Sequence, residues 1–282
     1  MITSALQWLV ILSFIFGSFS CGWCEPQNES KADEERPLVV LICSYNNKRW
    51  YKHNLCSVFS QEYSRYRVIY IDDYSEDGTA DAVEELVRKE GQGHRVTLIR
   101  NSCHLGALMN QYLAIQECQD KEIIVTLDGD DWFYHDRVLS RINAAYASGE
   151  VWYTHGSFIH HPGGEGGWSV PIPEGIIKRN AFREYRCPSH VRTFYAWLFK
   201  KIRPEDFLYQ GQFFEMTCDQ AIMFPIAEMA GERHAFISDI IHVYNVANSI
   251  NDNKVNAKLQ MDLEAYIRNM PRYLRLETAG GD

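Results

Sequence analysis

Asp128-Gly129-Asp130-Asp131 places three carboxylates within four residues, directly after the apolar run Ile123 to Leu127. Carboxylates two residues apart on an extended segment face the same way, and a glycine between them lets a ligand approach closely. Such a pair suits Mg²⁺ or Mn²⁺, which take one or two carboxylates and complete their shells with phosphate oxygens and waters. A solvated turn whose aspartates cap the next helix would use one of the three. The other two would then have no task. A second acidic pair, Asp72-Asp73, also follows an apolar run and leads into Tyr74-Ser75-Glu76-Asp77-Gly78-Thr79. Asp77-Gly78 makes a turn and Asp77 or Thr79 caps the helix beyond it. Asp72 and Asp73 are left to accept hydrogen bonds from a base N–H or from ribose hydroxyls. Further on, Asp219 precedes a helical stretch at Gln220 to Met229 and can cap it.

These groups need a scaffold that brings distant segments together. Leu38 to Ser44 (LVVLICS) is a continuous apolar run of strand length, as in a strand buried on both faces. Lys48 to Glu62 has helical spacing, Arg67 to Ile71 reads as a strand, and Thr79 to Glu90 as an amphipathic helix. Val96 to Arg100 (strand), Leu108 to Glu117 (helix) and Glu122 to Leu127 (strand) continue the alternation. The pattern predicts βαβ units in an α/β domain, with a mainly parallel central sheet flanked by helices. Ligands of such sheets bind beyond the carboxyl ends of the strands, where both acidic groups fall. After Asp131 a helix is expected over Val138 to Ala147 and a strand over Trp152 to His160. Next comes Gly163-Gly164-Glu165-Gly166-Gly167, read as a mobile lid with Trp168 able to stack on a sugar face. His160 and His161 border that loop.

The 282 residues allow one large domain or two small ones, and no flexible boundary divides them after residue 37. A net charge of −9 argues against a nucleic-acid partner, because no basic stripe is present to meet a phosphate backbone. Residues 1–24 carry no charged side chain, and Leu6 to Phe19 is strongly apolar. This segment reads as a signal peptide or membrane anchor, which places the protein in the secretory pathway or on a membrane, with a cytosolic-facing anchor as the alternative. Residues 25–36 read as a polar linker, with a sequon at Asn28-Glu29-Ser30. The eight cysteines are scattered without zinc spacing in the folded part, so buried thiols are expected.

Taken in order, LVVLICSYNN, VIYIDDYSEDGT, RNSCHLGALMNQYLAI and EIIVTLDGDDW resemble the signature blocks of family 2 glycosyltransferases, from Pro37 to about Trp132. A looser resemblance runs through YTHGSF, HVRTFYAWLFKKI, MTCDQAIMFPIAEMAG and HVYNVANSIND. The resemblance implies a GT-A fold over 37–277, with a nucleotide-sugar-binding half at 37–135 and an acceptor-binding half at 136–277. It implies an inverting transfer from a nucleotide-diphosphate sugar, with a UDP-linked donor expected, to a glycan, lipid or protein acceptor. Ser44 and Tyr45 would lie by the donor base, Asp72 or Asp73 on the base or ribose, and Asp128 on the ribose. Asp130, with Asp128, would hold the divalent Mn²⁺ or Mg²⁺, and His242 falls where some GT-A enzymes supply a late metal ligand. A lone histidine in an apolar strand also fits a packed, hydrogen-bonded role.

Asp219 would be the general base, a role that suits a carboxylate within reach of an acceptor hydroxyl. Two positions depart from the family pattern. Met109, before Asn110, replaces an arginine, and Cys218 replaces a glutamate. A diphosphate contact would then fall to the metal or to Arg192. These losses sustain one rival, a degenerate GT-A protein kept as a sugar-binding or scaffold subunit. An aspartyl-nucleophile phosphatase fits poorly, since Trp132 stands where a hydroxyl residue is wanted and the motif follows the fourth strand. A calcium loop lacks its glycine and terminal glutamate.

Overall fold

The computed structural model describes residues 34–248 and 256–279. The apolar leader, the sequon and all of the polar linker before Glu34 lie outside the described residues. The linker's last residues are tied to the domain: Glu35 accepts hydrogen bonds from the backbone N–H groups of Ser64 and Arg65, and the Arg36 N–H donates to Asn143.

The expected alternation is present as β1 (Leu38–Ser44), α1 (Tyr51–Phe59), β2 (Tyr66–Asp72), α2 (Thr79–Lys89), β3 (Val96–Arg100), α3 (Ala107–Gln116) and β4 (Ile123–Asp128). The second half follows with β5 (Trp132–Phe133), α4 (Val138–Ala145), β6 (Tyr153–His161), α5 (Glu174–Lys178), β7 (Arg192–Tyr195) and α6 (Ala196–Phe199). A short hairpin of β8 (Leu208–Tyr209) and β9 (Gln212–Phe213) leads to α7 (Cys218–Ala230), β10 (His234–Asn245) and α8 (Ala257–Asn269). The main sheet has the order β3-β2-β1-β4-β7-β6-β10-β5. β3, β2, β1 and β4 are parallel, as are β6 and β10, whereas β7 runs antiparallel to both of its neighbours.

Side chains alternate across each strand, so the sheet has two apolar faces. Val40, Ile42, Val68 and Tyr70 pack on α1, α2 and α4 through Leu55, Val58, Val83 and Ile142. Val39, Leu41, Ile69 and Ile71 face α3, α6 and α7 through Leu108, Ile115, Phe199 and Phe224. The strands are apolar throughout because both faces are covered. Among the described residues no helix is long and apolar enough to cross a membrane, and all six described cysteines are free.

Three differences from the sequence reading have local causes. α1 starts at Tyr51 rather than Lys48, since Asn47 accepts from the N–H groups of both Trp50 and Tyr51 and holds the entry as a turn. α7 starts at Cys218, two residues early, with Thr217 in left-handed backbone before it. Asp219 therefore sits inside the first turn and is not the cap. The glycine-rich segment folds back on β6: His160 N–H donates to Glu165, Gly167 N–H donates to Phe158, and Ile159 bridges Gly166. A Cβ on Gly167 would meet the Phe158 ring at 2.4 Å, which is why that position must be glycine.

On β6, His155 is 2% exposed and neither ring nitrogen has a partner. Burial, reinforced by nearby His234, depresses its pKa to about 3. The unfolded ring titrates near 6.5, so His155 supports stability fully above about pH 6.5 and progressively less as pH falls toward 3. His155→Phe removes two unsatisfied nitrogens without emptying the site. Its urea midpoint is expected to fall less between pH 7 and pH 4.5 than that of the wild type; parallel curves would show that His155 does not carry the acid response.

Candidate active site

The carboxyl ends of β1, β2 and β4 finish level with one another, with Ser44 opposite Asp72 and Cys43 opposite Asp128. This is the point where the sheet order reverses between β1 and β4, the expected ligand crevice of an open α/β sheet. β7 begins here too because it is antiparallel to β4, and it delivers Arg192 opposite Thr126, beside the carboxylates.

The Asp128–Asp131 segment is fixed from several sides. A Cβ on Gly129 would lie 2.8 Å from the Asn47 amide nitrogen and the Ser44 Cβ, and 2.9 Å from the Cys43 carbonyl oxygen. Only glycine lets the chain turn against β1. The buried Asn54 side chain donates to the carbonyl oxygens of Asp128 (3.0 Å) and Asp131 (2.8 Å). Asp131, 1% exposed, accepts from the Asn245 N–H (2.7 Å) and meets His242 Nε2 at 2.9 Å. Asp130 accepts from Asn248 at 2.8 Å. Of the three aspartates, Asp131 is committed to holding the loop on β10.

Asp130 shows the electrostatic consequence. Burial and then the neighbouring Asp131 and Asp128 push its pKa up to about 7, against a smaller opposing effect from the Asn248 hydrogen bond. Carboxylates in mutual repulsion are what a divalent cation relieves, so Asp128 and Asp130 fit the metal that the sequence reading implies. His242 is fully buried; its Nε2 faces Asp131 and its Nδ1 has no partner. Asp131, His190 and His242 bring ligand-type atoms within 4.8 Å of one another.

The structure separates the acidic pair on β2. Asp73 accepts from Asn101, from the N–H groups of Leu105 and Gly106, and meets His104 at 2.9 Å, shaping the entry to α3. Burial alone would raise its pKa, but hydrogen bonds from Asn110, Leu105, Asn101 and Gly106 hold it below the usual value. Asp72 is 3% exposed; one oxygen accepts from the Ser75 N–H while Oδ1 has no partner. Asp72 is thus the member of the pair with an uncommitted acceptor. Asn110 is buried and accepts from Asn101. Ser44 is also internal, its Oγ accepting from Tyr70 and Asn47. Tyr45 stands at the lip, with its ring 4.6 Å from that of His104.

Asp219 lies in the first turn of α7, at the positive end of its dipole. Its Oδ2 accepts from Arg192 Nη2 at 3.1 Å, and Arg192 Nε donates to the Pro188 carbonyl. Asp239, on β10, is paired with Arg141 of α4. Trp168 packs edge-on against Phe158 with Arg186 over its ring. His161 lies against Trp132 and Trp50. Sequence reasoning missed Asn54, His104, His190, Asn245 and Asn248. Asn245 and Asn248 sat in the HVYNVANSIND block, and that block was their only signal.

An open α/β sheet with a carboxylate cluster at its switch point is a ligand-binding arrangement of this fold class. The family model "Glycosyl transferase family 2" matches residues 39–203, more than half of the chain, and the protein belongs to that family. A putative teichuronic acid biosynthesis glycosyltransferase, TuaG of Bacillus subtilis (strain 168), is 31% identical over 104 residues, covering 36% of this chain and 40% of that protein. The chain spans less than half the length of the curated relatives it matches. The fold is that of GT-A glycosyltransferases. S. aureus TarS 1-349 in complex with UDP-GlcNAc superposes with a TM-score of 0.57 at 14% identity, over 82% of this chain and 66% of that one. The mannosyltransferase PcManGT from Pyrobaculum calidifontis, in complex with GDP-Man and Mn²⁺, gives 0.52 at 18% identity over 80% and 60%.

Gly129→Ala tests how tightly the loop is held. The added methyl has backbone on one side and the buried Ser44 and Asn47 on the other, so a loss of about 1–3 kcal/mol is expected from denaturant titration. Unchanged stability would show slack between β1 and the carboxylate loop.

Proposed function

We propose that the protein transfers a sugar from a uridine-diphosphate donor to an acceptor hydroxyl, with inversion at the anomeric carbon. The observation that carries this reading is the link between two centres through Arg192. Asp128 and Asp130 follow β4, and Asp219, at the start of α7, is bonded to Arg192, which also interacts with the charge of Asp128. The uncommitted Asp72 oxygen and the exposed Tyr45 ring suit a base and ribose. The solved relatives' UDP-GlcNAc and GDP-Man with Mn²⁺ support a nucleotide-sugar donor and a manganese or magnesium ion.

Asp219 takes the proton of the acceptor hydroxyl as that oxygen bonds to the anomeric carbon. The bond from that carbon to the diphosphate oxygen breaks on the opposite face, and the diphosphate leaves with the electron pair. Asp128 and Asp130 would hold a divalent cation, which supplies positive charge to offset that of the diphosphate. Arg192, beside Asp128 and bonded to Asp219, orients the base, and the diphosphate contact that Met109 lacks would fall to the metal. The acceptor is a glycan, lipid or protein, and residues 1–24 would direct the chain to a membrane or the secretory pathway. The rival reading, a sugar-binding scaffold subunit, predicts donor binding without turnover.

UDP should bind only with a divalent cation, read as a thermal shift with MnCl₂ against excess chelator. Asp130→Asn should remove most of the metal-dependent shift and leave the apo protein folded. Equal UDP binding in chelator would sink the metal assignment.

Asp219→Asn should lower turnover by roughly 10²–10⁴-fold while UDP affinity holds. The check is UDP release from UDP-GlcNAc alongside a UDP titration on the same variant. Near-normal turnover would reject Asp219 as the base.

A further inference from the structure

Between Asp219 and the carboxylate loop lies a column of flat groups that the proposed chemistry does not yet use. Arg192 Nη1 is 3.4 Å from His190 Nδ1, and Arg192 Nη2 is 3.4 Å from His190 Nε2. The two nitrogens of an imidazole point outward in different directions, so one guanidinium cannot meet both in the ring plane. Both contacts arise together only when the guanidinium lies over the ring face, a stacking that arginine favours. The His190 ring in turn stacks on His242, with centroids 4.5 Å apart and planes 7° from parallel. His242 and Tyr244, two residues apart on β10, both stack on the His190 ring, and Arg192 of β7 lies against the same ring. Tyr244 and Phe158 close around the same ring, with centroids 5.3 and 5.7 Å away.

The same geometry argues against His190 as a ligand in a shared metal cage. Imidazole lone pairs lie in the ring plane, and two parallel stacked rings send theirs along parallel planes that do not converge. The stack has a different consequence. His242 is held by Asp131, and Asp131 by the Asn245 backbone. The column therefore rests on the carboxylate loop at one end and carries Arg192 at the other. Among the described residues, Arg192 is anchored in its own plane by the Pro188 carbonyl and by Asp219.

We propose that His190 is a positioning residue: a flat spacer, seated on His242, that fixes the plane of Arg192 and through it the orientation of the Asp219 carboxylate. This rests on the reading of Asp219 as the base. It makes acceptor activation depend on a residue that touches neither substrate.

The test uses the full chain with Mn²⁺ and UDP-GlcNAc as probe, reading the rate of UDP release. His190→Leu fills the volume without a flat face, and His190→Phe restores the face. His190→Leu and His190→Ala are expected to lower the rate about tenfold with UDP affinity unchanged, and His190→Phe to recover most of it. If His190 acts through Asp219, adding His190→Leu to Asp219→Asn costs nothing further. An additive loss, or a phenylalanine variant no better than the leucine one, overturns the proposal. Crystal structures of the two variants give a readout that needs no turnover. The Arg192–Asp219 contact is expected to survive in His190→Phe and to break in His190→Leu; survival in both overturns the positioning role. A wild-type protein that releases no UDP defeats the transferase reading instead, and the crystallographic comparison still decides this one.

Discussion

The buried Asp131 carboxylate is the constraint on which the site depends. Its two oxygens are taken by the Asn245 backbone and by His242, so the loop after β4 is fastened to β10, three strands away in the sheet. A carboxyl group with 1% exposure is tolerable only with such partners. Because Asp131 is anchored, Asp128 and Asp130 cannot relax away from each other. The raised pKa of Asp130 comes first from its burial and then from the anchored Asp131 beside it. Asn54 works in the same direction from the other side, since its amide bridges the carbonyls at both ends of the turn.

Much of the first half was legible in the sequence because its signals are local. A run such as LVVLICS can only be a doubly covered strand, and an acidic group after such a strand lies at a carboxyl end whatever surrounds it. The second half was harder to read. β7 is four residues long and joins β4 to β6 in the antiparallel sense, so neither its length nor its pattern announces it. Without β7, nothing in the sequence places Arg192 beside Asp128.

The roles of individual carboxylates were the least legible feature. Asp72 and Asp73 are neighbours of one type, and only the fold shows that Asp73 is consumed by the loop before α3 while Asp72 keeps an oxygen uncommitted. Within Asp128–Asp131, spacing favoured the first and third positions for ligand binding, and the fold gives the fourth a structural task. The asparagines that hold these segments, Asn54, Asn245 and Asn248, carry no motif of their own. They are recognisable only by what they touch.

The antiparallel entry of β7 also bears on how such a protein could be rebuilt. The segment from α5 to α7 joins the sheet through a strand whose register with β4 spans four residue pairs, Ile123–Tyr195 to Thr126–Arg192, and packs α6 and α7 on the sheet face. A segment transplanted from a relative would therefore be compatible with the β1–β4 half if it reproduced that short register and its first side chain. A transplanted segment that included β10 would also have to bring partners for Asp131.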